Sequence, residues 1–118
     1  MEHILEITLL YDFYGGLLTD KQKDIFELYY HDDLSLAEIA EQFSISRQGV
    51  YDTLKRCETL LFQYENAIQL VKRFIKSNNS IKKMIDKMEE IEKNLEYPDK
   101  ILMQIKDMKD MAYKILNG

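Results

Sequence analysis

One short segment of the chain carries several side chains that can hydrogen-bond to DNA. Helical spacing would place these side chains together on the outer face of the first turns of one helix. They are Ser46, Arg47, Gln48, Tyr51 and Lys55. In a DNA major groove, Arg can bind guanine and Gln can bind adenine, each through a pair of hydrogen bonds. The segment is therefore a candidate nucleic-acid contact.

The residues around this segment have the pattern of a helix-turn-helix. Ala40 is small at the position where two helices would cross closely, and Ser44-Ile45-Ser46 forms a tight turn whose last residue can cap the next helix. Five apolar side chains would fix the crossing angle: Ile39, Phe43, Ile45, Val50 and Leu54. Such a core can present a recognition helix to DNA, and it can also be a plain scaffold.

Apolar residues recur with helical spacing over nearly the whole chain, which predicts an all-α protein. A first helix is expected from about Ile4 to the glycines at 15 and 16. Thr19 with Gln22, and Ser35 with Glu38, have the spacing of capping boxes that begin two further helices.

A long apolar seam follows the helix-turn-helix. From Val50 to Ile75 apolar residues alternate in steps of four and three, which predicts one continuous helix from about Arg47 to Lys76. The polar run Asn78-Asn79-Ser80 is expected to end it. The predicted domains are then residues 1–76, the helix-turn-helix with its long helix, and residues 77–118, a C-terminal helical hairpin.

The C-terminal extension is predicted to contain helices over residues 81–96 and 98–117, with Pro98 in the first turn of the second. Five of the six methionines lie there, at a spacing typical of core residues, although methionine-rich surfaces can also be adaptable binding sites. So small a chain has several long apolar stripes, and each of them needs another surface to bury it. A symmetric homodimer is the expected assembly.

Charge is distributed unevenly along the chain. Residues 1–70 hold five Lys and Arg against 13 Asp and Glu, a net −8, whereas residues 71–118 hold 11 against eight, a net +3. DNA affinity depends largely on neutralising phosphates with cationic side chains. The half with the helix-turn-helix is the acidic half, which counts against strong DNA binding.

The sequence offers little that catalysis or a cofactor would need. It contains no nucleophile–base pair, Gly-rich phosphate loop or zinc-ligand spacing, so no enzyme activity, metal or cofactor is predicted. Cys57 lies in the apolar seam and is expected in the core, and the adjacent Asp32 and Asp33 are expected in a solvated turn. The sequence has no apolar run of membrane-spanning length and no secretory signal, so no membrane association and a cytoplasmic location are expected.

Residues Leu34 to Leu54 resemble the C-terminal helix-turn-helix of sigma factors, region 4, which reads promoter elements. Over roughly residues 5–70 the chain resembles the bacterial YlxM family. The strings that carry this resemblance are Asp12-Phe13-Tyr14, Leu17-Leu18-Thr19, Lys21-Gln22, Leu28-Tyr29-Tyr30, Asp32-Asp33-Leu34-Ser35-Leu36, Glu38-Ile39-Ala40-Glu41, Ser46-Arg47-Gln48 and Val50-Tyr51-Asp52.

The resemblance implies a small DNA-binding protein of Gram-positive-type bacteria. The family's genes typically lie beside that of the signal recognition particle GTPase, so the resemblance also implies a role in, or regulation of, that pathway. Two hypotheses follow. One is a dimeric nucleic-acid-binding regulator. The other is a protein-interaction accessory of the signal recognition particle, docking through the long helix or the methionine-rich helices. A basic stripe around Arg47 would favour the first.

Overall fold

The computed structural model describes residues 2–94 and 99–118, and for Glu2 only the backbone. These residues form six α-helices, one short 3-10 helix and no strand, which confirms the all-α prediction. The helices are α1 (Glu2–Tyr14), the 3-10 helix (Gly15–Leu17), α2 (Asp20–Tyr30), α3 (Leu36–Phe43), α4 (Arg47–Ile68), α5 (Leu70–Lys93) and α6 (Asp99–Asn117). The predicted start of the last helix at Pro98 lies outside the described residues.

Two helices begin at capping boxes, as predicted. The Thr19 hydroxyl accepts a hydrogen bond from the Gln22 N–H at 3.2 Å, and the Gln22 side chain accepts one from the Thr19 N–H at 2.9 Å. Ser35 and Glu38 make the same reciprocal pair at 3.1 and 3.0 Å. Two hydrogen bonds from Ser35 lower the pKa of the Glu38 carboxyl group. The larger effect comes from the Ser35 backbone N–H and the smaller from the Ser35 side chain.

The chain divides into two compact units, residues 1–71 and residues 72–118. The boundary falls within α5, five residues before the domain boundary expected from the sequence. In the first unit two apolar clusters form the core. One is built mainly from α1, α2 and α4 and contains Ile7, Leu10, Tyr11, Tyr14, Leu18, Phe26, Cys57, Leu61 and Val71. The other holds the helix-turn-helix together and contains Ile25, Ile39, Ala40, Val50 and Leu54.

In the second unit, Ile85 of α5 and Ile105 and Ala112 of α6 are buried. Ion pairs join the two helices: the Lys109 ammonium lies 2.9 Å from a Glu92 oxygen and 3.8 Å from a Glu89 oxygen. The bond to Glu92 is the main reason that the pKa of Lys109 is raised. No helix in the described part of the chain is long and apolar enough to span a membrane.

The prediction of one continuous helix from Arg47 to Lys76 was wrong. Helix α4 ends at Ile68, Gln69 adopts a left-handed conformation with φ of 59°, and α5 begins at Leu70. The Leu70 N–H donates to the Tyr14 hydroxyl oxygen at 3.0 Å, and the Val71 N–H donates to a Glu65 carboxylate oxygen at 3.1 Å. The Tyr14 hydroxyl donates in turn to the same Glu65 oxygen at 2.6 Å. Side chains of α1 and α4 thus satisfy the first N–H groups of α5 and fix its start.

The expected break at Asn78-Asn79-Ser80 was also wrong, because α5 continues through these residues to Lys93. Asn and Ser disfavour a helix by only a fraction of about 1 kcal/mol each, which is too little to end one without a Gly or Pro. The interpretation of the methionines as core residues was wrong for four of them. These are between 45% and 69% exposed: Met84, Met103, Met108 and Met111.

Candidate nucleic-acid interface

Helices α3 and α4 form the predicted helix-turn-helix. Ile39 and Val50 are fully buried and Ala40 is 7% exposed, so the close crossing expected at Ala40 is confirmed. Between the helices Ser44 adopts a left-handed conformation with φ of 55°, and the Ile45 N–H donates to the Ala40 carbonyl at 3.1 Å. This return bond closes the C-terminus of α3 and turns the chain sharply into α4.

Ser46 is the N-cap of α4, as predicted. Its hydroxyl oxygen accepts a hydrogen bond from the Gly49 N–H at 2.9 Å. A Cβ atom at position 49 would lie 3.2 Å from that same oxygen, so glycine leaves the cap the room it needs. The cap makes Arg47 and Gln48 the first two residues of the helix. In a helix-turn-helix, these N-terminal residues of the second helix are the ones that reach base edges.

All five candidate contact residues are exposed on the first three turns of α4 or at its cap. Arg47, Gln48 and Tyr51 lie around a shallow surface depression that Leu36 of α3 also lines. Sequence reasoning did not select Leu36, because an apolar residue at the start of a helix gives no signal of its surface role. Lys55 lies one turn beyond Tyr51, with its ammonium 5.7 Å from the centre of the tyrosine ring.

Two acidic residues of α4 contact these polar side chains. The Gln48 amide nitrogen donates to an Asp52 carboxylate oxygen at 2.9 Å, which holds the Gln48 side chain in place beside Arg47. The Lys55 ammonium lies 3.7 Å from a Glu58 oxygen. Glu58 also accepts a hydrogen bond from the Tyr30 hydroxyl. Asp52 lies between Arg47 and Lys55, so the uninterrupted basic stripe that would favour nucleic-acid binding over a protein-interaction role is absent here, and a nucleic-acid role depends on the polar groups of Arg47, Gln48 and Tyr51.

This arrangement defines a helix-turn-helix protein with an exposed polar second helix. Comparison with known proteins identifies the family. Residues 1–112 match the family model UPF0122, described as "Putative helix-turn-helix protein, YlxM / p13 like". The chain belongs to this family, and the resemblance to the YlxM family seen in the sequence is confirmed.

Several proteins of the family are similar to this chain over most of its length. A UPF0122 protein of Thermoanaerobacter sp. (strain X514) is 52% identical over 95 residues, which are 80% of this chain and 75% of that protein. A UPF0122 protein of Clostridium kluyveri is 46% identical over 103 residues, which are 86% of this chain and 93% of that protein. The UPF0122 protein YlxM of Bacillus subtilis is 46% identical over 91 residues, which are 77% of this chain and 79% of that protein.

Proposed function

We propose that this chain is a nucleic-acid-binding regulatory protein that contacts its target through the first turns of α4. The observation that carries the proposal is the exposed group of Arg47, Gln48 and Tyr51 on the second helix of a well-packed helix-turn-helix. Arg47 offers a guanidinium for guanine. Gln48, held by Asp52, offers an amide for adenine. The likeness to the YlxM family supports a role in, or regulation of, the signal recognition particle pathway.

Binding through the helix-turn-helix alone is expected to be weak and to depend only slightly on salt. The first 70 residues carry a net −8, and Asp52 and Glu58 lie next to the cations of α4. Few counterions would therefore be released when the helix-turn-helix meets phosphates. Sequence preference would come from the Arg47 and Gln48 contacts, and affinity would have to come from elsewhere in the protein.

The double variant Arg47→Ala/Gln48→Ala tests this proposal. Fluorescence anisotropy with labelled DNA and RNA duplexes should show affinity reduced about fivefold or more, because a bidentate base contact contributes roughly 1–3 kcal/mol. Lys21→Ala/Gln63→Ala is a matched control, since it removes one cation and one amide from exposed positions on α2 and farther along α4. Equal binding by the Arg47/Gln48 variant and the parent would reject the recognition helix as the contact.

A second function is favoured by the exposed methionines of α5 and α6. Met84, Met103 and Met111 are each more than half exposed, and flexible thioether side chains adapt to apolar partner surfaces. In this alternative the chain is a protein-interaction accessory of the signal recognition particle. Calorimetry with the purified, nuclease-treated particle GTPase tests it. Met103→Gln/Met111→Gln should abolish the binding heat, whereas a parent protein that gives no heat would reject this function.

Homodimerisation is part of the proposal. Ile75 and Ile115 of the second unit are 46% and 67% exposed, and a second copy would cover these apolar side chains. Light scattering on the full chain at micromolar concentration should give twice the mass of 14.1 kDa. A monomeric result would rule the homodimer out, while leaving the recognition helix to be tested separately.

A further inference from the structure

A second charged surface lies on α5, outside the helix-turn-helix. Residues 72–87 carry six cations and a single acid, Asp86, in a protein whose net charge is −5. The cations are Lys72, Arg73, Lys76, Lys82, Lys83 and Lys87, and all six are exposed. No stretch of this length elsewhere in the sequence, outside this region, has such an excess of positive charge.

Four of these lysines lie on one side of the helix. A helix advances about 100° per residue, so Lys72, Lys76, Lys83 and Lys87 fall within a sector of roughly 60°. They extend over about 22 Å at 1.5 Å per residue. We call this row the lysine stripe. Asn79 and Ser80 occupy the turn between its two pairs, and Glu90 ends it, with a carboxylate oxygen 3.9 Å from the Lys87 ammonium.

The rest of α5 leaves the lysine stripe facing solvent. Ile85, on the opposite side of the helix, is 4% exposed, and Ile81 and Met88 beside it are half-buried. Glu89 and Glu92 point away from the stripe, because both pair with Lys109 of α6. The packing of α5 on α6 therefore separates the charges: Glu89 and Glu92 lie on the side of α5 that contacts α6, and the lysine stripe lies on the solvent-exposed side.

We propose that the lysine stripe binds the phosphate backbone of a nucleic-acid duplex without regard to base sequence. This goes beyond base contact at α4: the stripe supplies the phosphate affinity that the acidic helix-turn-helix lacks. A straight row of flexible ammonium groups fits regularly spaced phosphates, which need charge rather than a fixed geometry. An anionic membrane is a poorer match, because interfacial binding uses a continuous apolar face opposite the cations, and Ile85, at the centre of that side of α5, is buried.

The test compares two variants with the same change in net charge. Lys72→Gln/Lys76→Gln/Lys83→Gln/Lys87→Gln removes the lysine stripe. The control replaces four exposed lysines on α2 and α6: Lys21→Gln/Lys100→Gln/Lys106→Gln/Lys114→Gln. Anisotropy with a DNA duplex and an RNA duplex of about 20 base pairs is measured between roughly 50 and 200 mM NaCl. The two duplexes distinguish which nucleic acid supplies the phosphates.

Removal of the lysine stripe should lower the slope of log affinity against log salt by about 3–4, since each phosphate contact contributes roughly 0.9. The control should change the slope by less than about 1. Arg47→Ala/Gln48→Ala should instead alter the preference among sequences and keep most of the slope, so failure of one proposal is distinguishable from failure of the other. If the quadruple variant unfolds, as judged by circular dichroism, the pairs Lys72→Gln/Lys76→Gln and Lys83→Gln/Lys87→Gln should each remove half of the effect.

Four outcomes would overturn the proposal. An unchanged salt slope in the stripe variant would show that these lysines do not meet phosphates, as would a parent protein that binds neither duplex at the lowest salt. Stripe-dependent binding to vesicles containing anionic lipid, with no binding to duplexes, would assign the surface to a membrane. Stripe-dependent self-association at low salt, again without duplex binding, would assign it to the acidic surface of a second copy.

Discussion

Replacing Tyr14 with Phe should destabilise the first unit strongly, although the substitution removes a single oxygen atom. Tyr14 is 1% exposed, and its hydroxyl donates to Glu65 and accepts from the Leu70 N–H. A hydrogen bond to a charged group contributes about 1.5–3 kcal/mol, and the Leu70 N–H, at a bond that is only partly buried, loses its acceptor at a cost of about 1 kcal/mol. The two effects overlap, and we expect the free energy of unfolding to fall by about 3 kcal/mol.

Tyr30→Phe is the matched control. The Tyr30 hydroxyl also donates to a glutamate, Glu58, but that side chain is 16% exposed and lies 3.7 Å from both Lys55 and His3. The Glu58 carboxylate would therefore keep solvent and ionic contacts, and Tyr30→Phe should cost only about 1 kcal/mol. The comparison separates the effect of the Tyr14 hydroxyl on the start of α5 from the general effect of removing a tyrosine hydroxyl.

Urea unfolding followed by far-ultraviolet circular dichroism measures both variants under the same conditions. A loss for Tyr14→Phe that is no larger than that for Tyr30→Phe would refute the reasoning, because it would mean that the start of α5 does not depend on the Tyr14 hydroxyl. An unchanged slope of free energy against urea would show that the effect lies in stability and not in the compactness of the unfolded chain.

Three further predictions concern the core of the first unit. Ala40→Leu should overpack the crossing of α3 and α4 and lower the free energy of unfolding by about 1–3 kcal/mol, and a thermal melt identical to that of the parent would contradict the packing described. Burial is the main cause of the raised pKa values of Tyr11, Tyr14 and Tyr30, so each phenol holds its proton more tightly in the folded state than in the unfolded state. The contribution of these three phenols to stability should therefore be constant below about pH 10 and then fall by up to roughly 1.4 kcal/mol per pH unit for each phenol. Urea unfolding at a series of alkaline pH values would show this fall, and a flat profile above about pH 10 would contradict it. Burial raises the pKa of Cys57 to about 11, so this thiol should react with a disulfide reagent at neutral pH only after unfolding, and rapid labelling of the folded protein would disprove the assignment.

Local signals in the sequence predict most of the first unit. The capping residues Thr19, Ser35 and Ser46 mark three helix starts correctly, because a cap depends only on residues within one turn. The helix-turn-helix is equally predictable, since its apolar positions and the small Ala40 lie within about 16 residues of one another.

The break between α4 and α5 could not be predicted in this way. The apolar spacing of four and three continues past Gln69 without interruption, and Gln69 itself is a good helix former. The chain turns there because Tyr14, 56 residues before Leu70, provides the acceptor for its N–H. A contact between residues so distant in sequence leaves no mark on local periodicity.

The candidate site shows the same limit. Exposure of Arg47, Gln48 and Tyr51 follows from helical spacing and agrees with the structure. The hydrogen bond from Gln48 to Asp52 depends on which side-chain conformers the two residues adopt, and spacing alone leaves that choice open. The nucleic-acid role of these residues stays a prediction until binding is measured.

Three non-glycine residues in the described part of the chain adopt a left-handed conformation, and each is a position where the protein could be made more stable. Asp33, Ser44 and Gln69 all have positive φ, between 55° and 59°, and each lies where one helix gives way to the next. A residue with a Cβ pays about 1–2 kcal/mol for that conformation, and glycine would avoid it at an entropic cost of roughly 0.5–1 kcal/mol. The protein is thus less stable to heat than its fold permits. Its helix junctions, rather than its core, are the places where a more heat-tolerant version would differ first.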